Sequence, residues 1–183
     1  MEHRPILIVN GSPSRASRTA ALVEHVAAEL RHSGLAVETL ALRDLPAEPL
    51  LRGEADAAGI REAVAACVDA PGLVLATPIY KAAYSGLLKV YLDLLPQFAL
   101  TNKTVLPLAT GGSLAHVLAI DYALRPVLSS LGARHVVAGF FVLDKQLEVA
   151  APSAGSARLE AAAKEKLTPV LTAFIDSLTR HAR

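Results

Sequence analysis

Short β-rich runs alternating with longer stretches of helical spacing constrain this chain more than any other feature. The runs are "PILIVN" (5–10), "LAVETLAL" (35–42), "GLVLAT" (72–77), "KTVLPLAT" (103–110) and "HVVAGFFV" (135–142). "GLVLAT" is apolar at every position but its last, as a central parallel strand must be when helices cover both of its faces. After the first run a helix is expected from about Thr19, with Leu22, Val23, Val26, Ala27 and Leu30 on one face and Gly34 at its end. Further helices are expected over 55–70, after a polar, proline-containing link, and over 86–95 and 114–128. A last one should run from Ser156 to about Thr179, with Pro169 as a point of interruption. Five strands alternating with five helices predict an α/β fold made of βαβ units around a parallel sheet.

The 183 residues suit a single domain, residues 1–183. A hydrophobic fraction of 52% with 4% aromatics and no Trp predicts an interior packed with aliphatic side chains. Pro107 inside the fourth run predicts an irregular ladder, because proline lacks the N–H that an interior strand donates. "LEVAAPSAG" (147–155) is the one stretch with the composition of a mobile loop.

Eighteen Lys+Arg against seventeen Asp+Glu leave a net charge of +1, so neither a nucleic-acid surface nor an acidic docking face is expected. The single cysteine, Cys67, lies in "REAVAACVDA" and reads as a small buried residue of a helix. The N-terminal apolar stretch is too short for a signal peptide, and no window approaches the ~20 apolar residues of a membrane span. A soluble cytoplasmic protein is the expectation. The helices at 86–95 and 114–128 are apolar on more than one side, which predicts a homodimer or homotetramer that buries the second side.

In an open parallel sheet, ligands sit beyond the carboxyl ends of the strands. Three loops fall there: "GSPSRASRT", "TPIYKAAYSG" and "ATGGSLAH". The first supplies the hydroxyls of Ser12, Ser14, Ser17 and Thr19, helix-terminal N–H groups, and the guanidinium groups of Arg15 and Arg18. Such a set suits a phosphate dianion, and a plain serine helix cap with solvated arginines is the competing account. It lacks the Gly-Lys-Ser/Thr ending of a triphosphate loop, and neither G-x-G-x-x-G nor G-x-S-x-G occurs in the chain. The six histidines show no metal-ligand spacing, so no metal is expected; His116 is a candidate cofactor-binding residue because it follows "TGGS" at a helix start, with a solvated or capping histidine as the competing account. In the other two loops, glycines admit a flat ligand, and Ile79 and Tyr80 can cover a ring. The backbone N–H groups of Lys81 and Gly112 can bond its polar edge. With a monophosphate pocket, this combination suggests flavin mononucleotide.

The stretches "GSPSRASRTAAL", "ATPIYKAAYSGLLKVYLDLLP" and "VLPLATGGSLAHVLAIDYALRPVLSSLGA" resemble the NADPH-dependent FMN reductase family, and within it the branch that serves two-component alkanesulfonate monooxygenases. The likeness runs over most of residues 5–142. It implies a flavodoxin-like, doubly wound five-stranded sheet of order 2-1-3-4-5, an oligomer, and hydride transfer from NADPH or NADH to FMN. Free reduced FMN would then pass to a partner monooxygenase. By motif, the phosphate falls to Ser12, Arg15, Ser17, Arg18 and Thr19. The ring falls to Pro78, Ile79, Tyr80, Lys81 and Ser85 with Thr110, Gly111, Gly112 and Ser113. The family often places its arginine where this chain has Ser14, with Arg15 following, so the sequence leaves Arg15 and Arg18 as competing phosphate ligands.

In the alkanesulfonate branch, the helix matching "DYALRPV" carries a π-type insertion at a tyrosine that corresponds to Tyr122. Pro126 independently predicts a bulge or kink over 122–126, because it cannot bond the Tyr122 carbonyl four residues earlier and its ring collides with it. The resemblance implies that Tyr122 lies at a subunit interface near flavin and tunes its release. Two other functions fit the residues: a fixed-flavin reductase of quinones, azo dyes or metal oxyanions, and a flavodoxin-type electron carrier.

Overall fold

In the computed structural model of the protein, residues 4–148 and 158–181 are described. Along the chain come β1 (Ile6–Asn10), α1 (Arg18–His32), β2 (Val37–Ala41), α2 (Ala47–Arg52), α3 (Ile60–Asp69), β3 (Gly72–Tyr80), β4 (Ala83–Tyr84), α4 (Gly86–Asp93) and β5 (Thr104–Gly111). A π-helical turn (Ile120–Leu124) then leads into α5 (Arg125–Ser130), β6 (His135–Val136), β7 (Phe140–Leu143), β8 (Leu147–Glu148), β9 (Arg158–Leu159) and α6 (Ala161–His181). The parallel strands lie in the order β2-β1-β3-β5, with β6 and β7 sharing the next position on β5. Counted as five strand positions, this is the flavodoxin-like order 2-1-3-4-5.

The alternation within each strand decides which helices it meets. Ile6 and Ile8 of β1 pack with Val74, Leu106 and Leu108 under α1 and α6, where Leu22, Val26, Leu167 and Phe174 are buried. Leu7 and Val9 face the other way, with Leu73, Leu75 and Val105, under Ile60, Cys67, Leu88, Tyr91 and Leu128 of α3, α4 and α5. Both faces of β1, β3 and β5 are thus dry, which is the condition for their all-apolar runs, while the edge strand β2 stays partly exposed.

The expected fifth strand over 135–142 is broken, and Pro107 is the reason. Val105 accepts a bond from Val137 N–H at 3.0 Å, so residues of its parity, Pro107 included, face the fifth strand. Pro107 has no N–H to offer there. The register shifts from Val105↔Val136 to Leu108↔Phe140, so three residues oppose two, as in a β-bulge. Gly139 fits this crossing because a Cβ would stand 2.9 Å from the Pro107 carbonyl oxygen. On its other side β5 pairs with β3 without a break, including Leu75↔Pro107.

Other bounds also differ from expectation. The link after β2 contains α2, which tolerates Pro49 because a first-turn residue has no helical acceptor for its N–H. The helix expected over 55–70 is confined to α3. The expected helix over 114–128 is a 3₁₀ turn (Leu114–His116), the π turn and α5 in succession. The last helix passes through Pro169 without interruption; Pro169 and Glu165 are both exposed, so water can take the Glu165 carbonyl that the proline leaves unbonded. Its expected start at Ser156 lies outside the described residues, as do 149–155 of the expected mobile loop, whose first two residues form β8. Among the described residues, no helix is long and apolar enough to cross a membrane.

Candidate active site

At the carboxyl ends of β1, β3 and β5 the three loops close on one another. Gly11 N–H donates to the Ala76 carbonyl at 2.8 Å, and Ser85 Oγ donates to the Gly11 carbonyl at 2.6 Å. The approach requires glycine, since a Cβ at Gly11 would lie 3.0 Å from Leu88 Cβ. Asn10 Oδ1 accepts from Ser12 N–H at 3.0 Å and holds the turn. Thr19 and Thr110 share a buried hydroxyl bond of 2.7 Å that joins α1 to the end of β5.

Ser17 caps α1, its Oγ accepting from Ala20 N–H at 3.0 Å. The N–H groups of Arg18 and Thr19, one residue and two into the helix, have no acceptor within it and point to the loop. The second loop is a hairpin pairing Tyr80 with Ala83. Its two turn residues, Lys81 and Ala82, have φ of 49° and 65°, which stores about 1–2 kcal/mol per residue beside the site.

These pieces enclose a cavity of about 250 Å³. It is lined by Ser12, Ser14, Ala16, Ser17, Arg18 and Thr19, by Pro78, Ile79 and Tyr80, by Thr110, Gly111 and Gly112, and by Asp144. Eleven of the expected site residues therefore meet: Ser12, Ser14, Ser17, Arg18, Thr19, Pro78, Ile79, Tyr80, Thr110, Gly111 and Gly112. A groove of about 610 Å³ runs along α6 by Thr168, Pro169 and Thr172, but it is away from the strand ends and gathers no loop N–H groups. Among the described residues, no three His, Cys, Asp or Glu side chains are grouped to hold a metal.

Six expected residues fall outside the lining. Arg15 is exposed and pairs with Asp44 at 2.5 Å, whereas Arg18 lines the cavity with its Nε donating to the Asp144 carbonyl at 3.0 Å. Ser85 is buried and its hydroxyl is committed, donating to Gly11 and accepting from Leu88 N–H at 3.1 Å as the cap of α4. Lys81 is an exposed turn residue, and Ser113 caps the following 3₁₀ turn by accepting from Ala115 N–H at 3.2 Å. His116 sits half-buried in that same turn. Tyr122 projects from the π turn, 76% exposed, with Arg125 N–H reaching back five residues to the Ile120 carbonyl. The π conformation begins two residues before the span that Pro126 predicts.

Asp144 was missed by the sequence. It follows the last parallel strand, so the strand-end rule that found the three loops extends to it.

The chain matches the family described as NADPH-dependent FMN reductase over residues 5–148. It belongs to that family. An FMN reductase (NADPH) of Pseudomonas putida is 43% identical over 178 residues, covering 97% of this chain and 90% of its own. Its counterpart of the same description from Escherichia coli is 44% identical over 142 residues, covering 78% and 74%. The crystal structure of an NADH:FMN oxidoreductase, EMOB, in its apo form is similar with a TM-score of 0.83 at 48% identity, covering 93% of this chain and 88% of that one. The protein is thus an NAD(P)H-dependent oxidoreductase acting on FMN. The cavity suits that substrate: a guanidinium, serine hydroxyls and free helix N–H groups answer a phosphate dianion. At Gly111, a Cβ would stand 2.9 Å from Phe141 Cζ, so glycine leaves room for the Phe141 ring packed behind that wall.

Proposed function

We propose that this reductase releases reduced FMN as a free product to a partner flavin-dependent monooxygenase, of the kind that acts on alkanesulfonates, and that the three-loop cavity is where FMN is held. The supporting observation is the asymmetry of the cavity. Its phosphate end is gathered around Arg18 and the start of α1, whereas at the ring end Ile79 is covered and Tyr80 is 51% exposed. A ring resting there leaves one face open to solvent and to a nicotinamide. Ser12, Ser17, Arg18 and Thr19 hold the phosphate, and Pro78, Ile79 and Tyr80 with Thr110, Gly111 and Gly112 position the ring. Hydride then passes from nicotinamide C4 to flavin N5. The protein's part is orientation, with no obligatory acid or base side chain.

Leu114, Val117, Leu118 and Tyr122 are 64%, 43%, 56% and 76% exposed on the segment that follows β5. A second copy of this chain, as dimer or tetramer, is the occupant we propose for this apolar face, with Tyr122 beside the flavin and loosening its hold. Sedimentation should give an oligomer at micromolar concentration, and a clean monomer refutes it. Tyr122→Ala should purify with bound flavin and turn over free FMN slowly; a colourless, fully active variant refutes the role of Tyr122.

The central experiment mixes the protein anaerobically with NADPH or NADH and FMN, following the nicotinamide and flavin absorbance bands. Multiple turnovers that require added FMN, with reduced FMN passing through a filter that retains the protein, support release. Reduction that stops at one flavin per protein, with all of the reduced flavin retained by the protein on the filter, refutes it.

A further inference from the structure

We propose that Asp144 recognises the hydroxylated chain between the phosphate and the ring of flavin, an inference that rests on FMN occupying the three-loop cavity. A carboxylate is out of place in a phosphate pocket. It has acceptor oxygens only, and it repels a dianion. Yet Asp144 lines the same cavity as Ser12, Ser17 and Arg18.

Its position is set by the sheet. Leu143 pairs with Gly111, so Asp144 emerges one residue further on, beside Gly112. A Cβ at Gly112 would stand 3.7 Å from Asp144 Oδ2, which places the carboxylate against the glycine wall of the ring end. Leu143 N–H donates to Gln146 Oε1 at 3.1 Å and secures the turn. On the phosphate side, the backbone carbonyl of Asp144 takes Arg18 Nε. The residue therefore stands between the two ends of the cavity, with its main chain serving one and its side chain facing the interval. Among the described residues, no donor is paired with its carboxylate. What it calls for is a ligand segment of O–H donors, and in a flavin phosphate only the polyol chain supplies several. Because the Arg18 contact is to the main chain, changing the side chain at 144 leaves that contact in place.

The test is equilibrium titration of flavin fluorescence with FMN, riboflavin and lumiflavin, which removes first the phosphate and then the polyol. Asp144→Ala should weaken FMN and riboflavin by the same factor, on the order of tenfold for one charged hydrogen bond, and leave lumiflavin unchanged. Asp144→Asn, which keeps the shape and one acceptor oxygen, should weaken the same two ligands by a smaller factor, and it carries the test where the truncation does not fold. Equal loss for lumiflavin overturns the proposal, since the carboxylate would then act on the ring or the fold. Tighter FMN with unchanged riboflavin also overturns it, because the carboxylate would then act on the phosphate. Arg18→Gln separates the underlying reading: it should weaken FMN and spare riboflavin. If it spares FMN as well, the phosphate placement fails, while a loss shared by FMN and riboflavin but not lumiflavin at Asp144 still upholds the polyol contact.

Discussion

Replacing Arg18 and Arg15 separately by Gln tests the division of labour between two arginines that the sequence could not rank. Arg18 lines the cavity and is steadied by the Asp144 carbonyl, so its guanidinium is already aimed before a phosphate arrives. A charge-assisted hydrogen bond contributes about 1.5–3 kcal/mol. At about 1.4 kcal/mol per decade, Arg18→Gln should raise KM for FMN roughly 10- to 150-fold. Arg15 is held by Asp44 in an ion pair whose side chains are 79% and 41% exposed. Such pairs contribute about 0–1 kcal/mol, so Arg15→Gln should change KM less than about fivefold. The assay is initial rate against FMN concentration at saturating NADPH, repeated with riboflavin, for which the Arg18 effect should vanish. An Arg15→Gln penalty equal to or above that of Arg18→Gln refutes the reasoning, as does a parallel loss with riboflavin.

Three further outcomes follow from the packing. Burial raises the Cys67 thiol from 9.0 to about 11, so the folded protein keeps a proton that the unfolded chain gives up. The stabilisation is complete below pH 9.0 and is lost as pH rises to about 11, on the order of 3 kcal/mol in all; urea melts at pH 8 and 10.5 should show the loss, and Cys67→Ala should remove this component. Ala82→Gly relieves a φ of 65° and should raise stability by about 1 kcal/mol in the same melts, whereas a destabilised variant would mean that the turn is unstrained. Phe174→Ala empties a fully buried position between α6 and the sheet and should cost about 3–5 kcal/mol by urea unfolding, with a cost below 1 kcal/mol contradicting that packing.

The strands and the three loops were legible because their signals are local. A run such as "GLVLAT" can be satisfied only where both sheet faces are covered, and the strand-end rule then points to the loops that follow. The bulge opposite Pro107 was legible as an irregularity, but its side was not. Only the register with β6 and β7 shows that the missing N–H faces the fifth strand while pairing with β3 continues. Pro169 misled in the other direction, since its effect depends on whether water reaches the carbonyl it leaves unbonded.

The sequence alone determined the parallel α/β sheet, the anion loop at the start of α1 and the likeness to FMN reductases, because periodicity, helix caps and motifs are properties of neighbouring residues. Tertiary structure decided which side chains share the cavity. It turned Arg15 to Asp44 and Arg18 to Asp144, committed Ser85 to clamping Gly11, and brought in Asp144 from the far end of the sheet. Those outcomes depend on the pairing of β5 with β7 and the packing of α4 against the first loop. They join residues up to 126 positions apart, a separation at which sequence spacing carries no direction.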